Sequence, residues 1–332
     1  MPKRLRVLSG HRPTGLLHLG HLVGALSNWI RMQEEFDCFF TVVDWHALTS
    51  DYADPRRIRE YVVETVADWI ASGLDPEKCT IFVQSDVKEH AEMHLLLSMI
   101  TPLPWLERVP TYKEQKQQLI DRDLNTYGFL GYPVLQAADI VLYRADFVPV
   151  GEDQLPHIEL TREIVRRFNA LYGPVLVEPA ARTTPIPRLP GSDGRKMSKS
   201  YGNAVNLSDE PDVMMSKIAK YMTDPARQRR NDPGNPLVCP AFALHQAFTQ
   251  ESRLAEIDSG CRSASLGCVD CKSDLAGRLR DRFEAFREKR RELLTKPEAL
   301  NDILEDGARR ARQVAAGTLQ AARDAVGIGH AR

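Results

Sequence analysis

Arg6-Val7-Leu8-Ser9-Gly10, continued by Pro13-Thr14-Gly15-Leu16-Leu17-His18-Leu19-Gly20-His21, is an apolar strand that ends on glycine and turns directly into a helix. From His18 to Phe36 the apolar residues Leu19, Leu22, Val23, Leu26, Trp29 and Ile30 recur at helical spacing. Gly20 and Gly24 sit inside that helix, where glycine costs about 1 kcal/mol relative to alanine. Such a cost implies that backbone or ligand approaches closely there. Cys38–Val43 is a continuous apolar run ending at Asp44, the mark of a strand buried on both faces.

The alternation continues. A helix is expected over Pro55–Ser72, a strand over Thr80–Gln84 and a helix over Glu89–Met99. After an irregular polar insertion at 101–131, which holds the basic stretch Tyr112–Lys116, come a helix over Tyr132–Leu142, a strand over Phe147–Val150 and a helix over Leu155–Leu171. Strands separated by helices build right-handed βαβ units, so the fold class is α/β with a doubly wound, Rossmann-like parallel sheet. Residues 183–195 are rich in proline and glycine and lead into a loop. Beyond Tyr201 the strand signal vanishes, and helical periodicity takes over through 210–222, 274–294 and 297–326. Two domains are expected: residues 1–203, with a mobile loop at 191–203, and an all-α C-terminal domain over 204–332.

The chain has 332 residues, 43% hydrophobic and 27% charged, with Lys+Arg 44 against Asp+Glu 45. That length supports a large core. The balanced charge provides no global field for nucleic acid, although local basic patches such as Arg227-Gln228-Arg229-Arg230 remain, readable either as phosphate contacts or as solvated surface. The longest apolar stretches are strand-length, far short of a membrane span. The N-terminus lacks a signal-peptide core, so a cytoplasmic protein is expected. Cys38 and Cys79 lie in apolar runs and read as core residues.

Two motifs carry the chemistry. His18 and His21 are three apart and share one face of a first helical turn. A helix start favours anions through its free N–H groups and dipole, and imidazoles there can donate to phosphate oxygens. Gly20 leaves room for a flat base or sugar. Far downstream, Lys196-Met197-Ser198-Lys199-Ser200 sets two ammonium groups three apart, between Gly191, Gly194 and Gly202, on a loop that glycine lets move. Each motif has a plainer reading, a helix with two surface histidines and a solvated basic loop. Together, in this order, they describe a site that grips the polyphosphate of ATP from two sides while pyrophosphate leaves.

The pair resembles the signature motifs of class I aminoacyl-tRNA synthetases. Tyr132-Pro133-Val134-Leu135-Gln136-Ala137-Ala138-Asp139, Val150-Gly151-Glu152-Asp153-Gln154 and His157-Ile158-Glu159-Leu160-Thr161-Arg162 resemble the bacterial tryptophanyl enzymes, and the similarity runs from Leu8 to the last helix. The resemblance implies that Asp139 accepts the indole N–H, with Tyr132, Gln136 and Gln154 around the amino acid. It implies Gly151, Glu152 and Asp153 at the ribose, and Gly20, His21 and the Arg12-Pro13-Thr14 turn against the nucleotide. His18, Lys196 and Lys199 would meet the phosphates, Met197, Ser198 and Ser200 would complete the loop, and backbone near Ile186 would meet adenine. A buried carboxylate facing one ring donor rejects phenylalanine by leaving its acceptor unsatisfied. Arg12 and Gln136 depart from the usual tryptophanyl pattern, and a phenol is a donor as well, so Asp139 alone does not separate indole from phenol.

Cys239, Cys261, Cys268 and Cys271 follow a C-x21-C-x6-C-x2-C spacing that suits a four-thiolate site. Spacing does not choose between zinc and a [4Fe–4S] cluster; the subset of tryptophanyl enzymes that this segment resembles carries the cluster. The resemblance further implies Mg²⁺ with ATP, L-tryptophan and tRNA(Trp) as partners, an anticodon-reading helical domain and a homodimer, with 101–131 a candidate contact. The alternatives are a tyrosyl enzyme, a synthetase-like RNA- or partner-binding paralogue that charges no tRNA, and a non-tRNA nucleotidyltransferase.

Overall fold

The computed structural model describes residues 4–110, 123–183 and 189–329; Tyr112–Lys116 and Ile186 lie outside the described residues, as does the side chain of Ser200. Five parallel strands form one sheet: β1 (Arg6–His11), β2 (Asp37–Val42), β3 (Thr80–Val83), β4 (Phe147–Val150) and β5 (Ala180–Thr183). Their order is β3-β2-β1-β4-β5. The chain therefore winds outward in one direction from β1, then returns to its other side. At that reversal the carboxyl ends of β1 and β4 part, which opens a crevice for a ligand. β5 was not anticipated; Ala180-Ala181-Arg182-Thr183 is short and mostly exposed, so it carries no apolar signal.

The remaining four strands alternate between two cores, as a pleated strand must. Val7, Cys38, Phe40, Val42, Ile81 and Val83 face one core. Leu8, Phe39, Phe82, Val148 and Val150 face the other. Helices cover both: α1 over residues 19–35, α2 (Asp44–Asp51), α3 (Ile58–Ser72), α4 (Glu89–Ser98), α5 (Leu103–Glu107), α6 (Tyr127–Leu142) and α7 (Leu155–Tyr172). The expected 101–131 insertion is thus helical over 103–107 and from Tyr127 onward. α1 is not uniform. It begins as Leu19–His21, passes through a π-helical turn at Leu22–Leu26 and continues as Ser27–Glu35.

Beyond Tyr201 the described residues form α8 (Pro211–Ala219), α9 (Pro240–Phe248), α10 (Glu251–Arg262), α11 (Cys268–Arg282), α12 (Glu284–Thr295) and α13 (Pro297–Val326), with no further strand among them. The cysteine segment interrupts helicity only in part: residues 220–239, ending on Cys239, carry just a 3₁₀ turn (Pro236–Val238), whereas Cys261, Cys268 and Cys271 are themselves in helices. Packing crosses residue 203. Leu207, Met214, Leu279 and Leu304 share a core with Val7 and Trp69. Arg290 on α12 reaches Asp68 (2.7 Å) and Glu64 on α3.

α13 returns to the sheet and runs along the outer edge of β3. Cys79 and Ile81, two residues apart, aim their carbonyls the same way, out of that edge. Arg310 donates to the Cys79 oxygen at 3.2 Å. Gly307 lies against the other: a Cβ built there would stand 1.7 Å from the Ile81 oxygen. The helix thereby covers an edge that would otherwise offer unpaired groups. Gly307→Ala is expected to force the helix off the strand and lower stability by about 3 kcal/mol. Gly317→Ala, on the same helix but with no atom within 4 Å of the built Cβ, is expected to stabilise by up to about 1 kcal/mol. Thermal melting of the two variants beside the parent checks this; equal melting temperatures would contradict the contact.

Candidate active site

The turn after β1 is held by a local constraint. His18 is extended at φ −123°, and its backbone N–H donates to Nδ1 of His21 at 3.0 Å. A nitrogen that accepts carries no proton, so neutral His21 holds its proton on Nε2. Burial, reinforced by His11, His18 and the two lysines, pushes His21 well below its ordinary pKa and keeps it neutral. Its remaining N–H can only donate, as a phosphate oxygen requires. Burial and Lys199 likewise bring His18 down to about 4.

His11, which was not singled out from the sequence, joins this group. Its ring meets that of His21 edge-on at 4.8 Å, and His18 stacks on His21 at 3.7 Å. Burial, then Lys199, lowers His11 to about 3. Nε2 of His11 and Nδ1 of His18 are buried without a hydrogen-bond partner. His11 is the last residue of β1, so its placement follows from strand length, which the alternation pattern leaves open by a residue.

The two motifs meet. Leu19 donates to the Val205 carbonyl at 3.0 Å and Leu207 to the Leu17 carbonyl at 2.9 Å. The stem beyond the lysine loop is therefore laced to the histidine turn. Lys199 Nζ donates to the Gly15 carbonyl at 2.6 Å. Gly15 stands at φ +138°, and a Cβ there would lie 3.1 Å from Lys199 Cδ; glycine is required both by conformation and by space. Burial lowers Lys199 to about 8, with Arg12 adding to the shift and Asp68 opposing it. Lys196 is exposed, whereas Met197 is buried and anchors the loop in the core. Asn203 fixes the loop from within, a role not foreseen. Its Oδ1 accepts from the Ser198 N–H at 2.9 Å, and its Nδ2 donates to Asp193 at 2.7 Å. Arg12, at the exit of β1, donates to the Ser50 hydroxyl. Pro13 and Thr14 complete that turn, with the Thr14 N–H closing on the Arg12 carbonyl at 2.8 Å.

Across the crevice, α6 aligns Tyr132, Gln136 and Asp139 on one stripe by their i, i+4, i+7 spacing. Tyr132 and Asp139 are buried and Gln136 half-buried. The Tyr132 hydroxyl lies 3.3 Å from Nε2 of buried His157. Asp139 is held from three directions. His90 Nδ1 meets Oδ1 at 2.6 Å and His46 Nε2 meets Oδ2 at 2.9 Å. Gln84 Nε2 donates to both oxygens, at 2.8 and 3.0 Å. Burial alone would raise this carboxyl, but the two imidazoles overturn that effect and hold it below its ordinary range. His46, Gln84 and His90 were not recognised in the sequence. They follow β2 and β3 or sit on α4, and only the sheet order brings them to Asp139.

After β4, Gly151, Glu152, Asp153 and Gln154 enter a short 3₁₀ turn at the same sheet edge. Asp153 folds back over Gly151, so that a Cβ there would lie 2.7 Å from its carboxylate. Gln154 donates to Asp153 at 3.1 Å.

In the helical half, Cys239, Cys261, Cys268 and Cys271 line one cavity together with Arg227. All four are free thiols. Burial, then the neighbouring cysteines, pushes Cys271 up to about 12. Among the described residues no three His, Cys, Asp or Glu side chains are grouped so as to hold a metal ion. The four cysteines expected as ligands line a shared cavity but do not form a ligand set. Of the basic run, Gln228, Arg229 and Arg230 are exposed, whereas Arg227 is buried, donates to the Arg230 and Leu266 carbonyls, and lies 3.9 Å from Cys261 Sγ.

Comparison with known proteins agrees with this geometry. The family model of class I tRNA synthetases (W and Y) matches residues 1–284. A tryptophan–tRNA ligase of Thermotoga maritima is 53% identical over 98% of this chain and 99% of its own. One from Aquifex aeolicus is 43% identical over 98% and 100%. The crystal structure of tryptophanyl-tRNA synthetase from Campylobacter jejuni, complexed with ADP and tryptophan, superposes with a TM-score of 0.90 at 33% identity, covering 98% of this chain and all of that one. A sheet whose reversal point holds both phosphate motifs, and relatives alike along their whole length, lead to one conclusion: the chain belongs to the class I tRNA synthetases of the tryptophan and tyrosine group.

Proposed function

We infer that the chain is a tryptophan–tRNA ligase: it joins L-tryptophan to ATP, releases pyrophosphate, and transfers the tryptophanyl group to the 3′ end of tRNA(Trp). The observation that carries this reading is the lacing of the lysine loop to the histidine turn, with Lys199 on Gly15, at the edge where Asp139 waits. The tryptophan carboxylate attacks the α-phosphorus; the new O–P bond forms as the bridging bond to the β-phosphate breaks. No protein nucleophile is needed, so positioning and charge stabilisation do the work. His21 Nε2–H, His18 and His11 donate to phosphate oxygens, and Lys196 and Lys199 follow the charge onto pyrophosphate. Gly20, Gly151, Glu152 and Asp153 are assigned to the base and ribose, and Asp139 to the indole N–H, with Tyr132, Gln136 and Gln154 around the amino acid. A ribose hydroxyl of tRNA then takes the acyl group and the nucleotide leaves.

Magnesium, expected with ATP in this class, neutralises polyphosphate charge when bound. The side chains gathered at the phosphate face are imidazoles and ammonium groups, so no protein ligand is assigned to it. For the cysteines, we propose a four-thiolate site within the helical half (204–332), which would read the anticodon, holding a [4Fe–4S] cluster with zinc as the alternative. Its support is the shared cavity. A homodimer through the 101–131 region is also proposed; Met99 just before that region and Leu103 and Tyr127 within it are exposed apolar side chains. A cytoplasmic location is also proposed; no helix among the described residues is long and apolar enough to cross a membrane.

Amino-acid-dependent ATP–pyrophosphate exchange tests the main reading: exchange with tryptophan and not tyrosine is expected, and the reverse would move the chain to the tyrosyl enzymes. Lys199 gives a pH prediction with a definite sign. With its pKa lowered to about 8, it is charged below that value and neutral above. Phosphates favour the charged form, so the KM for ATP should rise above pH 8, by up to about tenfold per unit. Lys199→Arg, which keeps its charge, should flatten that rise, and Lys199→Ala should lower kcat about 10²-fold or more. For the metal, anaerobically purified protein should absorb broadly near 400 nm, with about four irons and four sulfides per chain. Cys268→Ser should remove both. A colourless protein with one zinc would replace the cluster.

A further inference from the structure

The groups that surround Asp139 are ordered in a way that assigns a task to two residues outside the substrate pocket. An ionised carboxylate only accepts, so the 2.6 Å contact at Oδ1 places a proton on His90 Nδ1. On the other side of the ring, Nε2 lies 2.7 Å from the Tyr143 hydroxyl. A continuous hydrogen-bonded chain thus links Tyr143, His90 and Asp139. Nothing along it is loose. His90 and Tyr143 are both wholly buried. The Tyr143 ring stacks on Phe39 at 4.8 Å and lies 5.5 Å from Phe82, so it is seated on two strands of the sheet.

The two carboxylate oxygens consequently differ. Oδ1 is closed by His90 and Gln84. Oδ2 is held by His46 and by the longer Gln84 contact, and His46 is the partner with residual exposure, 8% against none for His90. We propose that Tyr143 and His90 are positioning residues that fix the orientation of Asp139, leaving Oδ2 as the acceptor that selects a substrate ring bearing an N–H, with His46 yielding its place to that donor. The inference rests on the assignment of Asp139 to the indole.

The test compares tryptophan with the analogue whose indole N–H is replaced by sulfur, in pyrophosphate exchange by the full-length enzyme. Tyr143→Phe should raise the KM for tryptophan about tenfold, leave kcat and the KM for ATP within about twofold, and cut the preference for tryptophan over the sulfur analogue about tenfold. A merely structural tyrosine would affect both amino acids alike, and that result would overturn the proposal. His90→Asn, whose amide can donate from the Nδ1 position without help from Tyr143, should retain most of the preference. In the Tyr143→Phe/His90→Asn double variant, the loss of the hydroxyl should cost nothing further. Asp139→Ala, which removes both acceptor oxygens where an asparagine amide would keep one, separates the two levels. If it keeps the preference, the indole assignment fails and takes the proposal with it. If it loses the preference while Tyr143→Phe keeps it, only the positioning role is overturned.

Discussion

A carboxylate that is almost wholly buried cannot stand alone, and this one requirement organises the amino-acid side of the crevice. Asp139 needs donors, and the donors come from three separate places: His46 on α2, Gln84 at the end of β3 and His90 on α4. Isolating a charge in a protein interior is expensive, and matching it with hydrogen bonds reverses the sign of the effect. The contacts that keep Asp139 ionised therefore also fix how α2, α4 and α6 sit against the sheet. Loss of any one donor leaves a buried polar group unsatisfied, a larger penalty than the bond itself is worth.

The phosphate side follows the opposite logic. There the groups are cationic or able to donate, and they are crowded: burial lowers His11, His18, His21 and Lys199 alike, and Lys199 adds to the lowering of all three histidines. Buried acceptor and donor atoms lack partners at this place, on His11 and His18. Groups so placed suit the anion proposed to bind here, and the loop that carries Lys196 and Lys199 is tethered by Asn203 and by the Val205–Leu207 stem.

Between the two lies the sheet reversal. β1 ends at His11 and β4 at Val150, and the crevice between them is bounded by the histidine turn, the 151–154 turn and the α6 stripe. α13 closes the far edge, with Gly307 permitting a contact with the Ile81 carbonyl that any side chain would forbid. The helical half is consequently joined to the sheet through a common core as well as by the chain itself.

The sequence by itself determined the alternation of strands and helices, the two phosphate motifs, the α6 stripe and the four-cysteine spacing, because each is a local pattern with a fixed period. It misjudged what has no period: β5 is too polar and short to announce itself, and Cys261, Cys268 and Cys271 are in helices although the segment read as an interruption throughout. Strand order, the convergence of His46, Gln84 and His90 on Asp139, the tautomer of His21, the burial of Arg227 and the return of α13 to β3 were decided only by the tertiary structure. These depend on residues dozens to hundreds apart in the chain, and a pattern read along one dimension holds no record of which of them the packed sheet brings within hydrogen-bonding reach.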